Sequence, residues 1–146
     1  MKTISNDIFF SQVESEIASG KSVRFRVKGH SMYPLLRNNN DEVTLSPLNK
    51  DPEILDIVLF RYRGKHVLHR IIACSGDTYT LQGDGVYLSC ETCSRKDIIG
   101  IVTHIHKKGK VPIGTTSKRS LFYIFCWHNL RFCRRYLLAF LRRVYK

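Results

Sequence analysis

From Val23 to Ile105 the sequence is cut by turn residues into short apolar or alternating runs, and this punctuation limits the body of the chain to a β-rich fold. Val23-Arg24-Phe25-Arg26-Val27 alternates apolar and basic residues, as a half-buried strand does. Asn38-Asn39-Asn40-Asp41 is turn chemistry, Val43-Thr44-Leu45 a short strand, and Pro47 to Pro52 a loop. Asp56-Ile57-Val58-Leu59-Phe60 reads as a buried strand, returned through Arg63-Gly64-Lys65 as a hairpin into a strand over 66–73. Within it Val67, His69 and Ile71 share a face. Ser75-Gly76-Asp77 turns into a strand over 78–81, Gly83-Asp84-Gly85 breaks it, and 98–105 is the last strand.

Helical periodicity appears only at the two ends. Ile8, Phe9, Val13 and Ile17 form one stripe of a helix over 6–19, which Gly20 stops. The β-rich body with its N-terminal helix is placed at 1–106, a basic linker at 107–118 and an amphipathic helix at 119–146. In that helix Phe122, Cys126, Leu130, Cys133, Leu137, Leu141 and Val144 step by three and four. Arg131, Arg135 and Arg142 fall within an arc of ~40° on the other side, with Arg134 and Lys146 flanking.

Charge sharpens this division. Residues 1–97 carry 13 Lys/Arg and all 12 Asp/Glu, whereas residues 98–146 carry 11 Lys/Arg and no acid. Of the formal net charge of +12, +11 therefore belongs to the tail, which asks for an anionic partner. The longest charge-free run there, Ser120 to Leu130, has 11 residues, short of the ~20 that a membrane span needs. An apolar face opposite arginines suits a helix lying in the interface of an anionic membrane, with Arg131, Arg134, Arg135, Arg142 and Arg143 as its lipid contacts. The alternative is a helix docked on the body, its arginines in water. Nucleic acid ranks third, because the arginine face lacks the interleaved exposed aromatics that single-strand binders use.

No secretory signal is read at the N-terminus, where Asp7 interrupts the chain before an apolar run forms. The five cysteines are then expected to be mostly reduced, in a cytoplasmic protein held peripherally at the inner face of the membrane. Cys90-Glu91-Thr92-Cys93 is one CxxC without a second ligand pair, and His104 and His106 have no acid or thiol partner in sequence. No metal or other cofactor is expected.

Chemistry concentrates at two places. Ser31 lies in Gly29-His30-Ser31-Met32-Tyr33-Pro34, where a glycine permits positive φ and a proline fixes the far side of the turn. His69 lies in a strand. A serine hydroxyl is a weak nucleophile until a base in reach takes its proton, and a histidine can be that base. Asp84 could orient the imidazole as a third member. Each residue also has a plain reading: a turn serine, a satisfied strand histidine, a Gly-Asp-Gly turn. Lys65 is the runner-up base.

The order of Gly29-x-Ser31-Met32-x-Pro34, Asp56-Ile57-Val58-Leu59-Phe60, His69-Arg70-Ile71, Gly83-Asp84 and Asp97-Ile98-Ile99-Gly100 resembles the S24/S26 peptidases, the signal-peptidase and LexA-like serine endopeptidases. The resemblance spans about residues 22–106. Histidine where most bacterial members place lysine is similar to the endoplasmic-reticulum-type branch and to small bacterial S24/S26 peptidases. The resemblance implies a mainly β, partly open barrel, with the N-terminal helix and the C-terminal basic amphipathic helix added. It implies Ser31 as nucleophile, His69 as general base and Asp84 as orienting acid, with Glu91 as a substitute. It implies an extended peptide or protein substrate bound as an added strand. Gly29, Met32 and Pro34 would form the substrate and oxyanion environment, Met32 either lining the cleft or simply packing in the core. Gly29 stands where many signal peptidases have a hydroxyl, which leaves backbone donors such as the Ser31 N–H. Nothing in the sequence resembles their N-terminal transmembrane anchor. The contrasting hypothesis is a non-catalytic β-barrel module that binds peptide or nucleic acid and keeps the basic membrane-associating tail. A LexA-like self-cleaving regulator is disfavoured, since no DNA-binding segment precedes the blocks.

Overall fold

The computed structural model describes residues 6–130 and 133–144. Its elements are α1 (Asn6–Ala18), β1 (Val23–Arg26), β2 (Glu42–Ser46), β3 (Ile57–Tyr62), β4 (Lys65–Ser75), β5 (Thr78–Gln82), β6 (Glu91–Ser94), a 3-10 turn (Arg95–Asp97), β7 (Ile98–His106), β8 (Ile113–Gly114), α2 (Lys118–Asn129) and α3 (Arg134–Val144). The fold is mainly β: eight strands form one sheet in the order β1-β2-β7-β3-β4-β5-β6, with β8 beside β7. Every pairing is antiparallel.

The strand β3 explains its own sequence. Ile57, Val58, Leu59 and Phe60 are all buried, because both faces of this strand are covered. Ile57 and Leu59 join Val13 and Ile17 of α1, Phe25, Val43, Leu45, Met32 and Leu36 in one core. Val58 and Phe60 turn the other way, into a second core with Ile71, Tyr79, Leu81, Cys93 and Ile98. Arg63 and Gly64, at φ 49° and 73°, make the tight turn into β4.

The linker and the tail differ from the sequence expectation, as does β6, which lies where no strand is expected. The basic linker contains β8, whose Ile113 pairs with Ile105 and whose Gly114 pairs with His104. The tail is two helices. The first ends at Asn129, capped by Leu130, and the second begins at Arg134, so a single 100° phase cannot be carried through both. The expected apolar stripe is thereby split: Phe122, Leu130 and Val144 are exposed, as a membrane-facing stripe would be, while Ser120, Ile124, Trp127, Arg134 and Leu138 are buried.

Candidate active site

The chain leaves β1 and enters the Ser31 turn through Gly29, at φ 94°. The Asn38 side chain ties the turn together by accepting the Gly29 N–H at 2.9 Å. One helical turn follows, closed by the Leu36 N–H donating to Met32 O at 2.9 Å. Met32 and Leu36 point into the core, which fixes the turn from below. Met32 is therefore packing rather than cleft lining. Pro34 does face a cleft of about 540 Å³, lined by His30, Tyr33, Arg37 and Asn38 of the turn and by Leu141 and Arg142 of α3.

His69 is set in the middle of β4, opposite Val58 of β3. Its ring is buried, with Phe60 6.2 Å away between centroids. Nδ1 lies 2.8 Å from Glu91 Oε2. With Nδ1 taken, Nε2 is the nitrogen left for chemistry, and it points at Gly83. A Cβ built on Gly83 would stand 3.0 Å from His69 Nε2 and would collide with the Ser31 carbonyl oxygen. The Ser31 backbone carbonyl and His69 Nε2 thus flank one point that only a glycine leaves open, while no hydrogen bond joins the Ser31 hydroxyl to the imidazole among the described residues.

Asp84 does not orient the histidine. Its two carboxylate oxygens each accept a 2.9 Å bond from Nε and Nη2 of Arg70, the neighbour of His69 whose side chain leaves the opposite face of β4. Both groups are buried. Burial works against the Arg70 charge, but the Asp84 carboxylate outweighs it and holds the guanidinium above its ordinary pKa. Tyr123 of α2 donates to Asp84 Oδ2 at 3.4 Å, and burial followed by the same carboxylate raises its pKa, so it remains a neutral donor. The acid beside His69 is Glu91, the substitute named from the sequence.

The other side chains singled out in the sequence sort as follows. Lys65 pairs with Tyr62 at the hairpin end of β4, four residues and about 13 Å of strand from His69. Cys93 is buried in β6, where burial pushes its thiol up to about 11, while Cys90 is exposed, so the two thiols have unlike surroundings. His106 faces Thr44 Oγ1 at 2.7 Å. Of the arginines expected to meet lipid, Arg134 is buried and faces inward, and Arg142 donates to Gly85 O at 3.3 Å. Arg135 and Arg143 are exposed, and Arg131 lies outside the described residues. Sequence reading missed β6 as a strand and missed Arg70, Trp127 and Arg134 as supports of the site. The Arg-Asp complement beside the histidine was the available signal for Arg70.

No protein-family profile matches this chain, and no curated protein matches its sequence.

Proposed function

We propose that this chain is a serine endopeptidase of the signal-peptidase-like type, its sheet a partly open barrel of the S24/S26 kind. One observation carries the reading: a buried histidine whose Nδ1 is held by Glu91 and whose Nε2 lies beside the Gly83 backbone that packs on the Ser31 carbonyl. Ser31 Oγ attacks a peptide carbonyl as His69 Nε2 takes its proton. Glu91 fixes the tautomer and stabilises the imidazolium that forms. The imidazolium then protonates the leaving amine, and water, deprotonated by the same nitrogen, releases the acyl group. An extended peptide is the proposed substrate form, placed in the cleft beside Pro34, which is lined by neighbours of Ser31 in the turn and not by Ser31 or His69.

The tail gives the proposed location. Leu121, Phe122 and Phe125 of α2 and Tyr136, Phe140 and Val144 of α3 are exposed, with Lys118, Arg119, Arg135 and Arg143 exposed among them. This outward surface fits the interface of an anionic membrane, apolar groups inserted and cations at the headgroups. Among the described residues no helix is long and apolar enough to cross a membrane. Aromatics and arginines do share this surface, so the sequence argument against nucleic acid loses its ground. Six large apolar side chains still favour lipid over bases.

A serine-directed fluorophosphonate tests the activity. It should label the wild type at Ser31 and leave Ser31→Ala and His69→Ala unlabelled. A folded wild type that resists the probe would favour the non-catalytic module.

A further inference from the structure

The loop from Gln82 to Gly85 has the candidate site on one side and the C-terminal helices on the other. On the site side, the Gly85 N–H donates to Ser31 O at 2.8 Å, and Gly83 is packed against Ser31 O and His69 Nε2. On the far side, Arg134 of α3 crosses the loop backbone. Its Nη2 donates to Gly83 O at 2.9 Å, its Nε to Asp84 O at 3.1 Å, and its Nη1 reaches Gln82 Oε1 at 3.4 Å. Trp127 of α2 donates its indole N–H to the same Asp84 carbonyl at 3.1 Å. The Arg134 guanidinium also lies 5.2 Å from the Trp127 ring centroid.

Arg134 is only 7 % exposed, which is unusual for an arginine on a terminal helix. Removing a guanidinium from water is costly, and it is tolerated here because its planar fork matches acceptors on three consecutive residues. A lysine, with one ammonium, cannot span them. The loop also cannot yield toward β4, because Arg70 grips the Asp84 carboxylate there. The backbone that touches Ser31 is therefore clamped between Arg70 and Arg134.

We propose that Arg134 is a positioning residue for the hydrolytic site. It fixes the Gln82–Gly85 backbone, and through Gly83 and Gly85 it sets the approach of the Ser31 turn to His69 Nε2. The C-terminal helices are then part of the catalytic unit as well as its outer surface. A body ending near Lys118 would lack Trp127 and Arg134, and so would lack this clamp. The inference rests on the Ser31 and His69 reading, and its test separates the two.

The experiment uses the full chain with Arg134→Ala and Arg134→Lys. The second-order rate of Ser31 acylation by a fluorophosphonate is measured across pH and normalised to the folded fraction by circular dichroism. Arg134→Ala should slow acylation by about 10- to 100-fold per folded molecule, as expected for a displacement near 1 Å. The midpoint of the pH profile should stay in place, since the Glu91 contact to His69 is untouched. Millimolar methylguanidinium should restore part of the rate in Arg134→Ala, and Arg134→Lys should remain slow. A wild-type rate in either variant would overturn the proposal. Failure of both variants to fold would make Arg134 a residue of the fold and would overturn it as well. If the wild type itself is not acylated, the activity reading fails. The positioning claim is then decided by NMR: the Gly85 amide and His69 ring resonances must shift in Arg134→Ala, and unchanged resonances would end it.

Discussion

Glu91 Oε2 lies 2.8 Å from His69 Nδ1 although β5 runs between their strands. Register explains the contact. Ile71 of β4 pairs with Leu81 of β5, which pairs with Glu91 of β6, so all three share a face with His69. Continuing that register places Gly83 beside His69, where no side chain blocks the reach of the carboxylate. Asp84, one residue on, faces the other way and meets Arg70.

The two acids should therefore fail differently. Glu91→Gln keeps the fold and lowers the rate of Ser31 acylation by roughly 10²- to 10⁴-fold, because the imidazole loses its tautomer and its stabilising charge. Asp84→Asn leaves a buried Arg70 without its carboxylate and destabilises the fold by about 3–5 kcal/mol. Probe kinetics and urea unfolding of both variants distinguish them. Equal loss of stability from the two substitutions would contradict the division of roles.

Gly83→Ala should damage both fold and site. The added methyl meets the Ser31 carbonyl and stands 3.0 Å from His69 Nε2. Relief requires the Ser31 turn to move, at roughly 1–3 kcal/mol for an overpacked position. Denaturation should show that loss, and labelling of Ser31 should fall further than the folded fraction does.

Apart from β6 and β8, the strands were legible, as were a turn at Ser31 and a strand at His69, because these depend on local signals: alternation, an all-apolar run for a doubly covered strand, and Gly and Pro framing a turn. The partner of His69 was not. Glu91 and Asp84 are both acids in loop-like sequence, and only the β5–β6 pairing decides which one shares the histidine face. The tail misled for a related reason. A helical wheel drawn through 119–146 assumes one helix, whereas one helix ends at Asn129 and another begins at Arg134, which turns Arg134 inward instead of onto the exposed arginine face.

Acid should loosen the N-terminal helix. Burial pushes the Glu14 carboxyl up, but hydrogen bonds and charge from Arg61 and His66 outweigh it and leave its pKa below the ordinary value. A depressed folded pKa stabilises fully above the unfolded value, near 4.3, and is lost as pH falls through the folded one. The stability advantage of the wild type over Glu14→Gln should be present above the unfolded value and shrink below about pH 4. Urea midpoints over that range measure it, and an advantage that grows in acid would contradict the sign.

The outward helix surface should bind anionic vesicles. Phe122→Asp with Phe140→Asp should abolish flotation, since each buried phenylalanine contributes about 1.5–3 kcal/mol. Arg135→Gln with Arg143→Gln should weaken binding by about 1 kcal/mol per residue, a loss that high salt mimics. Flotation of the aspartate variant as strong as that of wild type would move the membrane contact elsewhere, and tight binding of single-stranded nucleic acid instead of vesicles would replace lipid as the partner.

Mass-spectrometric mapping of a fluorophosphonate adduct tests the central claim most directly. On the folded full-length protein, one adduct should form on Ser31, at a rate that depends on His69 as general base. His69→Ala and Ser31→Ala should show none. A folded protein without an adduct at any pH, or with labelling at Ser31 that survives His69→Ala, would contradict the account.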